Sequence, residues 1–169
     1  MDEKKIVIEG THNKYMINKV NRVKKNMSKK KNIDIDDKFF DINYQLDLIN
    51  ETYSDLNDII KKEIKYKLSS YQQQDKLKKR YDSEKFITYE STKELIKQTS
   101  CKCIYCNENL LILYKNKNEK KQWTLDRINN DIGHNNDNVV ISCLKCNIQK
   151  RDRDHEKFAF TKNLKITKL

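Results

Sequence analysis

The feature that most limits how this chain can fold is a repeated spacing. Cys103 and Cys106 form one C-x-x-C pair, Cys143 and Cys146 form a second, and residues 107–142 lie between them. Each pair can present two thiolates on one side of a tight turn, and two pairs complete a tetrahedral site for one structural Zn²⁺ per chain. Coincidence or a redox pair explains neither the equal spacings nor their position around the most unusual part of the chain. The interval is longer than a small zinc ribbon needs, so it has room for a hairpin and a functional loop. Cys101 is unmatched and reads as a bystander.

The rest of the chain offers little core with which to replace such a staple. Only 36% of its 169 residues are hydrophobic, and another 36% are charged. A sequence of that kind cannot bury a large core throughout. Its net charge of +11 suits a polyanion. Nucleic acid is the first candidate partner and an anionic membrane surface the second. No apolar run approaches the ~18 residues of a membrane span. The start, "MDEKKIVIEG", lacks the apolar core of a secretory signal, so an intracellular, reducing location is expected and metal-bound or free thiols are favoured over disulfides. Proline is absent, and Asn, Lys and Ile abound as in an AT-rich genome, so a single Lys or Asn carries little meaning.

These patterns predict an α+β chain with a helical, basic N-terminal part followed by a zinc-stapled domain. Residues 1–37, with "NKVNRVKKNMSKKKN", read as a flexible basic arm that includes His12. Residues 38–84 read as a helical, basic region that contacts DNA. Leu46, Ile49, Tyr53, Leu56, Ile59, Ile60 and Ile64 recur at three- and four-residue steps, as in one or two amphipathic helices, with Ser54 and Asp55 as candidate caps. Further on, Tyr71 and Tyr81 interleave with Lys76, Lys78, Lys79 and Arg80. Residues 85–169 form the stapled domain. "TYESTKELIKQTS" reads as a short helix capped by Ser91 or Thr92 with Glu94 in its first turn. "NLLILYKN", "QWTL" and "VVIS" read as strands, and "DRINNDIGHNNDN" as a loop. A helix is expected to open at or just after the last cysteines, and "KFAFTKNLKITKL" alternates like an edge strand. Trp123 is expected to pack the hairpin, His155 to sit on the surface of the last helix, and Gly133 to supply a positive φ.

Asp126 falls at a strand end and Asn147 near a helix start. If the hairpin folds back on that helix, a carboxylate and an amide oxygen converge. Such hard ligands suit Mg²⁺, which keeps several waters and takes substrate phosphate.

The stretch "LDRINNDIGHNNDNVVISCLKCNIQK", residues 125–150, embraced by the two knuckles, resembles the zinc-containing branch of the HNH (ββα-metal, or His-Me finger) endonuclease family. The block from "YQQQDK" to "FAFTKNLKI" is similar to small uncharacterised HNH proteins of large DNA viruses. Nothing before residue 70 adds to the likeness. The resemblance implies a ββα-metal domain and a metal-dependent endonuclease that hydrolyses DNA phosphodiester bonds, using Mg²⁺ or Mn²⁺ for catalysis and Zn²⁺ for structure. By position it implies Asp126 and Asn147 as catalytic-metal ligands, Asn138 as the brace of the loop, and Lys150 near the scissile phosphate. Arg151 and Arg153 would then contact DNA, beside Lys76, Lys79 and Arg80 upstream.

One position departs from the family pattern. Many HNH proteins carry a His directly after the first Asp, and here that residue is Arg127. An arginine stays protonated and cannot accept a proton from water, although it can clamp a phosphate. Three readings stay open: His134 as the general base, a metal-bound hydroxide or another group in that role, or a fold without strong catalysis. The functional alternative is a non-catalytic, zinc-dependent nucleic-acid binding module. Asp126 beside Asn147 favours the enzyme, since a pure binder needs no acid facing phosphates. DNA is the expected partner, RNA stays open, and no membrane partner is expected. One HNH site cuts one strand, so a double-strand break needs a homodimer or two visits. The location would be the cytoplasm or nucleus of a host cell, with the resemblance pointing to a viral gene.

Overall fold

The structure is a computed structural model that describes residues 9–11, 13, 36–50 and 54–164, with the side chains of 48–50 and 54–57 set aside. Most of the basic arm, His12, Tyr53, the side chains of Ile49, Ser54, Asp55 and Leu56, and residues 165–169 therefore lie outside the described residues. What is described is a mixed α+β fold with a buried four-cysteine cluster. A 3₁₀ turn, Asp37–Phe40, precedes helices α1 (Ile42–Asn50), α2 (Ser54–Leu77) and α3 (Tyr89–Gln98). Strands β1 (Trp123–Arg127) and β2 (Val139–Cys143) follow, then helices α4 (Leu144–Lys150) and α5 (His155–Asn163). No described helix is long and apolar enough to cross a membrane.

Helix α2 shows why the N-terminal half belongs to the same core as the cysteines. Ile60, Ile64 and Leu68 recur every four residues and are buried with Ile96, Trp123, Leu125, Ile141 and Phe158 in one cluster. Tyr71 and Asp75 continue this stripe. Beyond Leu77 the chain turns back through Lys79 at φ 55°, and the Arg80 N–H closes the turn on the Asp75 carbonyl at 2.8 Å. Helix α3 begins one residue after Thr88, whose hydroxyl accepts from the Ser91 N–H at 3.1 Å. The cap is thus Thr88, not Ser91 or Thr92, and the acid in the first turn is Glu90.

The two strands pair antiparallel, from Trp123 opposite Cys143 to Arg127 opposite Val139. A two-stranded ribbon is marginal alone. Here Ile104 donates to the Ile141 carbonyl along one outer edge, and Trp123 donates to the Leu111 carbonyl along the other. The segment "NLLILYKN" is not a strand, although Leu110, Ile112 and Leu113 are buried as a strand's would be. At Ile112 and Leu113 its backbone is satisfied by a side chain. Gln45 Oε1 accepts from the N–H groups of Ile112 (2.8 Å) and Leu113 (3.0 Å), and Gln45 Nε2 donates to the carbonyls of Leu113 and Phe39. Gln45→Leu strands these buried groups and is expected to cost about 2–3 kcal/mol. The shift of the urea midpoint measures it.

The stretch expected as a C-terminal edge strand is helical as far as Asn163. Asp154 caps α5 by accepting from the Lys157 N–H at 2.9 Å, Phe158 reaches the core, and Phe160 is exposed. The apolar alternation misleads because only one of the two phenylalanines packs. The helix expected at or just after the cysteines is α4, and α5 follows it among the described residues.

Candidate metal centre and basic basin

Cys103 and Cys106 lie on an irregular knuckle, Cys143 ends β2, and Cys146 lies in the first turn of α4. Their four sulfurs all fall within 4.8 Å of one another, with Cys106 and Cys143 at 3.9 Å. A tetrahedron with metal–sulfur bonds of ~2.3 Å has edges near 3.8 Å, so the spacing fits one zinc-sized ion and is too wide for disulfides. The Cys143 sulfur also accepts from the Cys146 N–H, which makes a metal ligand the N-cap of α4. Among the described residues this is the one cluster of at least three His, Cys, Asp or Glu side chains with such geometry. Cys101 takes no part: its thiol donates to the Leu110 carbonyl, and burial pushes it up to about 12.

A second site lies on the side of the hairpin facing α2. It is a basin of about 350 Å³ lined by Tyr71, Gln74, Lys78, Arg80, Leu125, Asp126, Arg127, Asn130, His134, Asn147, Arg151 and Asp152. Asp126, 4% exposed, is the penultimate residue of β1. Its Oδ2 accepts from the Tyr105 hydroxyl at 2.7 Å, and its Oδ1 lies 3.5 Å from Lys150 Nζ. Burial holds its pKa above the usual carboxylate value, opposed by Tyr105 and Lys150. Asn147 commits Nδ2 to Thr124 Oγ1 and the Leu125 carbonyl, each at 3.2 Å, so Oδ1 is the atom it has to offer. Asn138 ties down the loop: Nδ2 donates to the carbonyls of Asn129 and Gly133, and Oδ1 accepts from the Asn129 N–H.

His134 is 5% exposed, with its ring 4.4 Å from that of Tyr71. Its Nδ1 lies 2.9 Å from Asp75 Oδ1, and its backbone N–H donates to Asp75 Oδ2 at 2.6 Å. Burial lowers its pKa, and Asp75 offsets part of that shift. Gly133 does not supply a positive φ. It is needed for space, since a Cβ there would lie 2.5 Å from the Arg80 carbonyl oxygen and 2.9 Å from Asp75 Oδ2.

The basic residues expected at phosphates divide into groups. Arg80, Arg127 and Arg151 line the basin. Arg127 also donates to the carbonyls of Asn130 and Ile132, and so braces the loop. Lys150 does not line the basin: it is 0% exposed and donates to the Arg127 carbonyl at 2.8 Å. Arg153 folds back on the carbonyls that end α4 and lies 5.1 Å over the Phe158 ring. Lys76 stands over Tyr81, and neither it nor Lys79 lines the basin.

The sequence patterns missed Asp75, Tyr105 and His155. Asp75 was detectable in principle, as an acid on the apolar stripe of α2. His155 is half-buried, with Nδ1 2.9 Å from the Tyr105 hydroxyl, and is not a free surface histidine. Tyr105, inside the first knuckle, joins it to Asp126. Comparison of the chain with protein-family models, curated proteins and solved structures returns no match.

Proposed function

We propose that this chain is a metal-stapled nucleic-acid module whose basin hydrolyses DNA phosphodiester bonds, in the manner of the HNH, or ββα-metal, endonucleases that residues 125–150 resemble. The supporting observation is that Asp126, Asn147 and His134 line one cavity together with Lys78, Arg80, Arg127 and Arg151. A carboxylate and an amide oxygen below a cationic rim fit Mg²⁺ or Mn²⁺, which when bound stabilises negative charge on the phosphate and leaving oxygen. His134 takes the proton of the attacking water. Its lowered pKa keeps it neutral near pH 7, as a base must be. The cations hold the substrate phosphates without reading sequence. A second groove, of about 720 Å³ beside the cysteines, presents Lys120, Lys121, Lys145 and Lys162 and extends the surface open to a polyanion.

A second reading has its own observation. Asp126 already has Lys150 as a buried counter-charge, which suits an internal anchor as well as a metal ligand. A non-catalytic, zinc-dependent nucleic-acid binding module needs only the four-cysteine cluster and the basic rim, and makes the fewest assumptions.

Plasmid nicking at low salt with Mg²⁺ or Mn²⁺ separates the two. Wild type is expected to nick in a metal-dependent way, and Asp126→Ala to lose nicking while keeping its zinc. Tight, salt-sensitive DNA binding by both proteins with nicking by neither would decide for the binding module.

A further inference from the structure

We propose that Asp75, near the end of α2, is the positioning residue that makes His134 a general base, so that the helical part of the chain completes the basin. This rests on the hydrolytic reading above.

The contact is more than a tie between loop and helix. The loop is already attached by the His134 N–H to Asp75 Oδ2 and by the Ile87 N–H to the His134 carbonyl, at 2.6 and 3.0 Å. The ring makes further bonds to the same carboxylate, at 2.9 and 3.0 Å. They fix which nitrogen holds the proton. A carboxylate against Nδ1 selects the Nδ1–H tautomer and leaves the Nε2 lone pair to the basin that His134 lines. Tyr71 fixes the ring plane from one side. Asp75 is 1% exposed and shielded from competing water. Gly133 lets the end of α2 come this close.

The charges facing His134 have opposite effects. Arg127, from the end of β1, and Lys78, beyond α2, oppose its protonation, and Asp75 favours it. In the reaction a water O–H bond breaks, the oxygen bonds to phosphorus, and the proton goes to Nε2. The P–O bond to the leaving oxygen breaks, and solvent protonates that oxygen. Asp75 accepts from Nδ1–H and so stabilises the imidazolium.

Asp75→Asn and Asp75→Glu in the full chain test the assignment by nicking rate, pH–rate profile and ¹⁵N spectra of the His134 ring. Asp75→Asn is expected to keep its zinc and DNA affinity but to lose about 10²-fold in rate. The acidic limb of its profile should move to lower pH, because the group that raises the His134 pKa is gone. The ring should change from a fixed Nδ1–H tautomer to a mixture, and Asp75→Glu should recover part of the rate. An Asp75→Asn protein that nicks as fast as wild type, with the acidic limb unmoved, overturns the assignment alone. A wild type that nicks neither duplex, single-stranded nor branched DNA overturns the hydrolytic reading and this one with it.

Discussion

Stripping the metal from the four-cysteine cluster is expected to unfold the C-terminal part of the chain, not merely to loosen it. Cys103, Cys143 and Cys146 are members of the main core cluster, beside Trp123 and Leu125. The hairpin has two strands, and its edges are held by loops that the knuckle itself positions. Ser100, Cys101 and Asn107, around the first knuckle, all hold positive φ without being glycine, which costs about 1 kcal/mol or more each. A structural zinc contributes an apparent ~10–16 kcal/mol at pH 7, as much as the whole stability of a small domain. Burial and the neighbouring Cys103 push the Cys146 thiol up to about 12 without metal, so uptake must release protons and affinity should fall as pH falls. Trp123 is fully buried, so its emission should shift to the red on chelation, and Cys146→Ser should give the same spectrum without chelator. Unmoved emission and a retained cooperative transition after complete metal removal would end the structural role.

The parts of this architecture that were legible in the sequence are those set by short-range chemistry. Equal C-x-x-C spacings announced the metal cluster, and the polar loop between "QWTL" and "VVIS" announced the hairpin. What was not legible depended on distant partners. "NLLILYKN" has the composition of a strand, but at Ile112 and Leu113 it is Gln45 on α1 that takes the hydrogen bonds a neighbouring strand would have made. "KFAFTKN" alternates, but Asp154 caps a helix there. His134 stood out as a histidine in a glycine-containing loop, whereas its partner Asp75 lies in a stretch that reads as polar and basic. Periodicity assigns side chains to faces; it does not pair a face with a loop far along the chain.

Lys150→Met should be among the most destabilising single changes in the described fold, and removing its partner as well should undo much of the damage. Lys150 is wholly buried, 2.8 Å from the Arg127 carbonyl and 3.5 Å from Asp126 Oδ1. A buried ion pair adds little over a well-packed apolar pair, but breaking it from one side leaves an uncompensated charge and costs about 3–5 kcal/mol. The double variant Asp126→Asn with Lys150→Met has no charge left to bury and should recover a large part of that loss. The pH dependence gives the sign. Burial already raises the pKa of Asp126, and Lys150 is one of the groups that lower it. Without Lys150 the folded-state pKa rises further above the unfolded value. The penalty is then full above the folded pKa and vanishes below the unfolded one, near 4. The deficit of Lys150→Met relative to wild type should therefore narrow as pH falls through the raised folded-state pKa of Asp126, with zinc content checked in parallel. Urea unfolding of the four proteins of the cycle measures it. Single losses that simply add would show that the two charges do not interact, and would leave the carboxylate of Asp126 uncompensated and free to bind a metal ion.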